Sequence, residues 1–237
     1  MRARPLIAYG GGLAMIALAL AAAQWQGRRG DEKQAMQARW DAAAAGAALT
    51  LEPGKAAAPP LPQRVAVRGR FVPEASVYLD NRQLDGAAGF FVITPLEAAP
   101  GAPWVLVNRG FVPRDPADRT RVAAGAPPPG EVLVEGLAVE RPTRSLELGE
   151  APPARLPGIW QNLDYAAYEQ AAGRRVMHLL VQQTSAADDG LRRHWPAPSA
   201  GVDKHRGYAF QWYAIAAAVA VLMIFFAVRG RRHAPSD

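Results

Sequence analysis

Two long apolar runs bracket a chain that otherwise alternates between apolar and polar positions. From Pro5 to Ala23 no residue is charged, and from Ala214 to Val228 none is charged or strongly polar. Counted back to Gly207, the second run holds about 20 residues, enough to cross a hydrocarbon core at ~1.5 Å per residue. Both runs are predicted to be transmembrane helices, over residues 5–26 and 207–228. Their flanks agree, because Trp25 closes the first, Tyr208, Trp212 and Tyr213 open the second, and basic residues follow each, the pattern of interfacial anchors. The first run could instead be a signal peptide cut after Ala21-Ala22-Ala23, but its length and Trp25 favour an uncleaved helix.

Between the runs the period changes twice. Residues 27–62 read as a juxtamembrane helix from Asp31 to about Leu49, ended by Glu52-Pro53-Gly54 and followed by a Pro/Ala linker. From residue 63 the period is two: Val65, Val67, Gly69 and Phe71 share one face and Arg64, Ala66, Arg68 and Arg70 the other. Further strands are predicted at Val77-Tyr78-Leu79 with a turn at Asp80-Asn81, at Phe90 to Thr94 closed by Pro95, at Trp104 to Val112, at Glu131 to Val139 and at Val176 to Gln183. Asp164 is placed to cap a helix from Tyr165 to Ala172 that stops at Gly173. Many strands at hairpin spacing with one inserted helix predict an antiparallel β-rich domain, barrel or sandwich-like, over 63–184. Residues 185–206 read as a loop. The fold class is thus an α+β membrane protein in which two transmembrane helices flank an extracytoplasmic β domain. Asn108-Arg109-Gly110 interrupts the most apolar strand and predicts a bulge or a close backbone approach at Gly110.

Charge adds orientation. The formal net charge of +6 comes from arginines grouped at the membrane flanks and scattered singly elsewhere, so the basicity reads as topogenic and not as a nucleic-acid surface. The short basic tails, 1–4 and 229–237, are expected in the cytoplasm, and the long middle on the other side. No cysteine is present, which excludes disulfides, thiolate metal sites and cysteine nucleophiles.

No nucleophile elbow, Walker loop, dinucleotide fingerprint or H-E-x-x-H motif occurs, so no enzyme is expected. Gly10-Gly11-Gly12 lies inside the first apolar run, where it lets helices approach and cradles no phosphate. Glu131, Glu135, Glu147 and Glu150 read as solvated carboxylates. Among the histidines, His178 falls in a strand, His194 in a loop and His233 in the basic tail. His205 lies just outside the second membrane run, and its i+3 and i+7 neighbours, Tyr208 and Trp212, fall on its own helix face. That face can be the floor for a flat ligand or an interfacial anchor with a solvated imidazole. A single histidine cannot build a zinc site, but it can be an axial ligand to haem, whose porphyrin supplies four donors.

Gly69-Arg70-Phe71, Arg82, Gly89-Phe90, Thr94-Pro95-Leu96, the run from Val105 to Pro113, and His205 with Tyr208-Ala209 and Trp212-Tyr213 together resemble the surfeit locus protein 1 family. The resemblance implies an assembly factor of haem-copper cytochrome c oxidase in the bacterial cytoplasmic or mitochondrial inner membrane. It implies that His205 is a metal ligand to haem a, that Tyr208 and Trp212 belong to the cofactor site, and that haem passes to oxidase subunit I. Cytochrome c oxidase subunit I, haem a synthase and the lipid bilayer are the partners it implies. Lys204 and Arg206 flank His205 where the family usually carries Asn and an apolar residue, and they could meet haem propionates or lipid headgroups. The alternative is a membrane scaffold that stabilises subunit I without binding haem.

Overall fold

The computed structural model describes residues 3–54, 58–118, 120–142, 144–145, 155–195 and 202–232. The chain forms two compact units, one from its two ends and one from the centre, beginning at Trp40.

The central unit carries strands β1 (Leu49–Thr50), β2 (Gln63–Phe71), β3 (Val77–Leu84), β4 (Ala87–Glu97), β5 (Trp104–Pro113), β6 (Glu131–Val139), β7 (Gly158–Trp160) and β8 (Val176–Gln183). They form one sheet in the order β1-β2-β6-β8-β5-β4-β3-β7. A further pairing of Arg70 and Phe71 with Glu97 and Leu96 closes β2, β6, β8, β5 and β4 into a ring. The sheet is mostly antiparallel, but β1–β2, β5–β8 and β3–β7 pair in parallel.

Each of the five ring strands contributes to one core, made of Val65, Val67, Leu96, Val105, Val107, Val134, Leu179 and Val181 among others. The opposite face of the same strands offers Ile93, Leu106, Leu137 and Leu180 to a second core, covered by Trp160 and by helix α2 (Tyr165–Ala172). Strand β5 is buried along nearly its whole length on both faces. That explains why its sequence reads as a continuous apolar run and not as an alternation. Helix α2 forms where its caps predict: Asp164 Oδ1 accepts the Ala167 N–H at 2.9 Å, and Gly173 ends it at φ 62°. Its Tyr168, wholly buried, donates its hydroxyl to the Ala75 carbonyl at 2.6 Å, and burial raises its phenol pKa well above the ordinary range.

Two predicted strand ends move. Asp80-Asn81 does not reverse the chain; Asn81 adopts φ 55° in a bulge within β3, and the reversal falls at Asp85-Gly86. Pro95 does not close its strand either. Its carbonyl accepts the Val72 N–H at 3.0 Å, so β4 runs through it to the ring closure.

Helix α1 runs unbroken from Ala3 to Ala45, belonging to the helical unit as far as Arg39, so the predicted membrane and juxtamembrane helices are one element. Helix α3 (Val202–Arg232) begins inside the segment read as a loop, with Asp203 in its favourable first turn. Both helices are long and apolar enough to cross a membrane. Buried or half-buried residues recur along α1 at Tyr9, Gly12, Ile16, Ala19, Ala23, Gln26, Gly30 and Lys33, alternating steps of three and four that give a seven-residue repeat. Gly12 faces Met223 and Gly30 faces His205, so the helices run antiparallel. Large side chains such as Leu18, Phe210, Ile224 and Phe226 point outward.

Candidate functional site

His205 occupies the second turn of α3 and is half-buried against α1. Its Nδ1 lies 2.7 Å from Gln26 Oε1, and the next residue, Arg206, donates to Gln34 Oε1 at 2.6 Å. Gly30 opposes both; a methyl there would sit 3.8 Å from His205 Cβ and Arg206 Cγ, an ordinary contact. In the tautomer in which Nδ1 donates to Gln26, Nε2 carries the lone pair that a metal needs, and the amide fixes the ring plane. Tyr208 and Trp212 are 52% and 38% exposed on the outer flank, while Ala209, one turn beyond His205, is buried in the seam. Among the described residues no ring contact joins His205 to Tyr208 or Trp212.

No group of three or more histidines, carboxylates or cysteines is placed to hold a metal among the described residues. A metal at His205 must therefore bring most of its own donors, and haem does so with four pyrrole nitrogens. The donor set fits one axial position. The other described histidines face carboxylates instead. His178 stacks on Tyr165 at 5.0 Å with Nε2 3.7 Å from Glu169, and His194 Nδ1 is 3.3 Å from Asp85 Oδ1. Glu135 pairs with Arg64 at 3.2 Å on the sheet surface. His233, Glu147 and Glu150 lie outside the described residues.

The break at Asn108-Arg109-Gly110 has a second chemistry. Val92 pairs with Gly110 and Ile93 with Asn108, so Arg109 is the extra residue of a β-bulge. The bulge turns Arg109 inward, 2% exposed, where it donates to Asp189 Oδ2 at 2.8 Å and to the Gly125 carbonyl at 3.1 Å. Arg193 reaches the same Oδ2 at 2.5 Å, and the Arg109 guanidinium lies 5.6 Å over the Phe71 ring. Burial works against the charge of Asp189, but hydrogen bonds from Arg193 and the Leu191 N–H, with the fields of both arginines, hold its carboxyl below the usual range. Burial lowers the Arg109 pKa, opposed by Asp189.

Gly110 completes this anchor. Phe111 and Arg192 exchange backbone hydrogen bonds of 2.8 and 2.9 Å, which bring the segment preceding α3 directly over Gly110. A Cβ there would lie 2.6 Å from Leu191 Cβ and 2.9 Å from the Arg192 carbonyl oxygen, so the expected close approach is real. The sequence flagged the break in the strand but not its partners, since Asp189 and Arg193 lie about eighty residues further on in a segment without periodicity.

Comparison with known proteins covers both features. The SURF1 family profile matches residues 13–217, from inside α1, through the sheet, to beyond His205, Tyr208 and Trp212. A SURF1-like protein of Monosiga brevicollis is 25% identical over 180 residues, which cover 71% of this chain and 67% of that protein. Surfeit locus protein 1 of Arabidopsis thaliana is 27% identical over 209 residues, 66% of this chain and 58% of that protein. This chain therefore spans only 58% of the length of its plant relative. With a profile match that takes in the first helix, the β domain and the start of the second helix, the chain belongs to the SURF1 family.

Proposed function

We propose that this chain is an assembly factor for haem-copper cytochrome c oxidase, the general role of the SURF1 family, and that it binds haem a at the outer membrane boundary and assists its insertion into oxidase subunit I. The observation that carries the haem reading is the orientation of His205 by Gln26, at the point where α3 passes from charged to apolar sequence. Haem a bound there would place its farnesyl tail in lipid and its propionates near Lys204 and Arg206, with Tyr208 and Trp212 beside the ring. Haem a synthase would be the donor and subunit I the acceptor. The protein makes and breaks no bond in this role.

The same reading places the chain in a bacterial cytoplasmic membrane, with 1–4 and 229–237 cytoplasmic, the spans at 5–26 and 207–228, and the region 63–184 in the periplasm. Because the chain has no cysteine, Ala117→Cys and Ser236→Cys give clean single labels. They are expected to react with impermeant reagent from opposite sides of the membrane, and labelling from one side would refute the topology.

Haem binding is tested by purifying the protein from cells that can and cannot make haem a. The wild type is expected to show a Soret band only from the first. His205→Ala is expected to insert normally, because the residue is peripheral to both sheet cores, yet to lose or shift that band. A wild-type spectrum in His205→Ala would return His205 to an interfacial role and favour the scaffold reading.

A further inference from the structure

A cavity of about 380 Å³ opens on the sheet face of the central unit, where the apolar core under α2 gives way to polar residues. Its lining includes Arg82, Phe91, Arg144, Ser145, Gln182 and Trp195. The two rings form one wall, 5.6 Å apart at 68°, and Trp195 is fixed by donating its indole N–H to the Gln183 carbonyl at 2.7 Å. Arg82 is 5% exposed and held by the Gln161 carbonyl at 2.5 Å and Asn162 Oδ1 at 3.3 Å. Ser145 is tied to Asn81 at 3.2 Å and to Asn162 at 2.8 Å. Among the described residues that line the space are two guanidiniums and no carboxylate, and Asp80 acts on the Arg82 charge from nearby.

The floor is unusual. Gln182 Oε1 is buried without a hydrogen-bond partner. Its register partner across the parallel β5–β8 pair is Asn108, so the two side chains project from the same face. Asn108 is wholly buried, and neither its amide oxygen nor its nitrogen finds a partner among the described residues. Buried amides are normally satisfied, and leaving two adjacent ones unpaired in a packed core is costly. Leu106 and Leu180, two residues earlier on the same strands and the same face, show that apolar residues pack there.

We propose that this cavity is a ligand site for a small carboxylate with a planar apolar body. The charged group would lie against Arg82 and Arg144, the flat portion against Phe91 and Trp195, and the Gln182 amide would turn to the ligand's polar atoms. The volume falls in the range of small-molecule pockets. The proposal does not rest on haem binding at His205.

The test uses the full chain in lipid nanodiscs and follows binding of indole-3-acetate by calorimetry, with indole-3-ethanol as its uncharged counterpart. The expected result is saturable binding of the acid, at least ten-fold weaker for the alcohol and at least ten-fold weaker for the acid in Arg144→Glu. Gln182→Leu is expected to melt at the same temperature or higher while binding the acid more weakly. If Gln182→Leu does not fold, Gln182→Met removes the same amide at nearly constant volume for the same measurement. Absence of saturable binding by the wild type, equal affinity for acid and alcohol, or wild-type affinity in Arg144→Glu and in the amide variant would each overturn the proposal.

Discussion

The two units solve burial in opposite ways. In the central unit the largest side chains are innermost: Phe90, Phe111, Leu79, Ile93 and Tyr168 are almost fully shielded. In the helical unit the buried positions among the described residues are small, Ala19, Ala23, Gly30, Ala209 and Ala216, and the large apolar side chains face out. An outward apolar surface of this extent is stable only where the surroundings are themselves apolar, and helix contacts there rely on close backbone approach. A tight glycine therefore means different things in the two units. Gly110 is crowded by backbone and a Cβ, whereas a Cβ on Gly12 would meet the Met223 Sδ at 2.5 Å, the far end of a flexible side chain.

The comparison breaks most readily at the buried anchor. Asp189→Asn leaves the Arg109 guanidinium interred without its counter-charge, and removing one partner of a buried pair costs roughly 3–5 kcal/mol. Urea or thermal unfolding of the β domain would read this, and a loss below about 1 kcal/mol, the scale of an exposed ion pair, would mean that the anchor is not energetically buried. Acid sharpens the point. Because the folded Asp189 carboxyl titrates below its unfolded value of ~3.9, its stabilisation is complete above that pH and disappears as pH falls through the folded value. The wild type should therefore lose more stability on acidification than Asp189→Asn does.

A smaller loss is expected at Gly110. Gly110→Val must displace Leu191 and the Arg192 carbonyl, and overpacking of this kind costs about 1–3 kcal/mol. An unchanged melting temperature would mean that the segment over Gly110 yields freely. The least change is expected in the helical unit. Gly12→Ala asks only that the Met223 thioether swing aside, so stability should move by no more than about 0.5 kcal/mol in either direction. A loss as large as that of Gly110→Val would show the seam to be as rigid as the barrel.

Much of this architecture is legible in the sequence wherever a period is long enough to count. Strand β2 alternates from Val65 to Phe71, and α2 carries both its cap residue and its terminal glycine. Strands β1 and β7, two and three residues long, cannot display a period at all. Their parallel partners, and the closure through Arg70 and Phe71, depend on residues far apart in the chain. Asp189 illustrates the same limit at the candidate sites: nothing local distinguishes it from Asp188, yet only it lies between Arg109 and Arg193. The environment of His205 was legible as a helix face, but its turn toward Gln26 follows from the pairing of two helices almost 180 residues apart.

The position of β8 bears on how the protein itself is made. Last of the strands in sequence, it lies in the middle of the ring, between β5 and β6. Until Val176–Gln183 has been synthesised, those two neighbours present open edges to their surroundings. The anchor cannot close before Asp189 follows. A nascent chain is thus held in an unfinished, association-prone form until nearly all of its central unit has been synthesised.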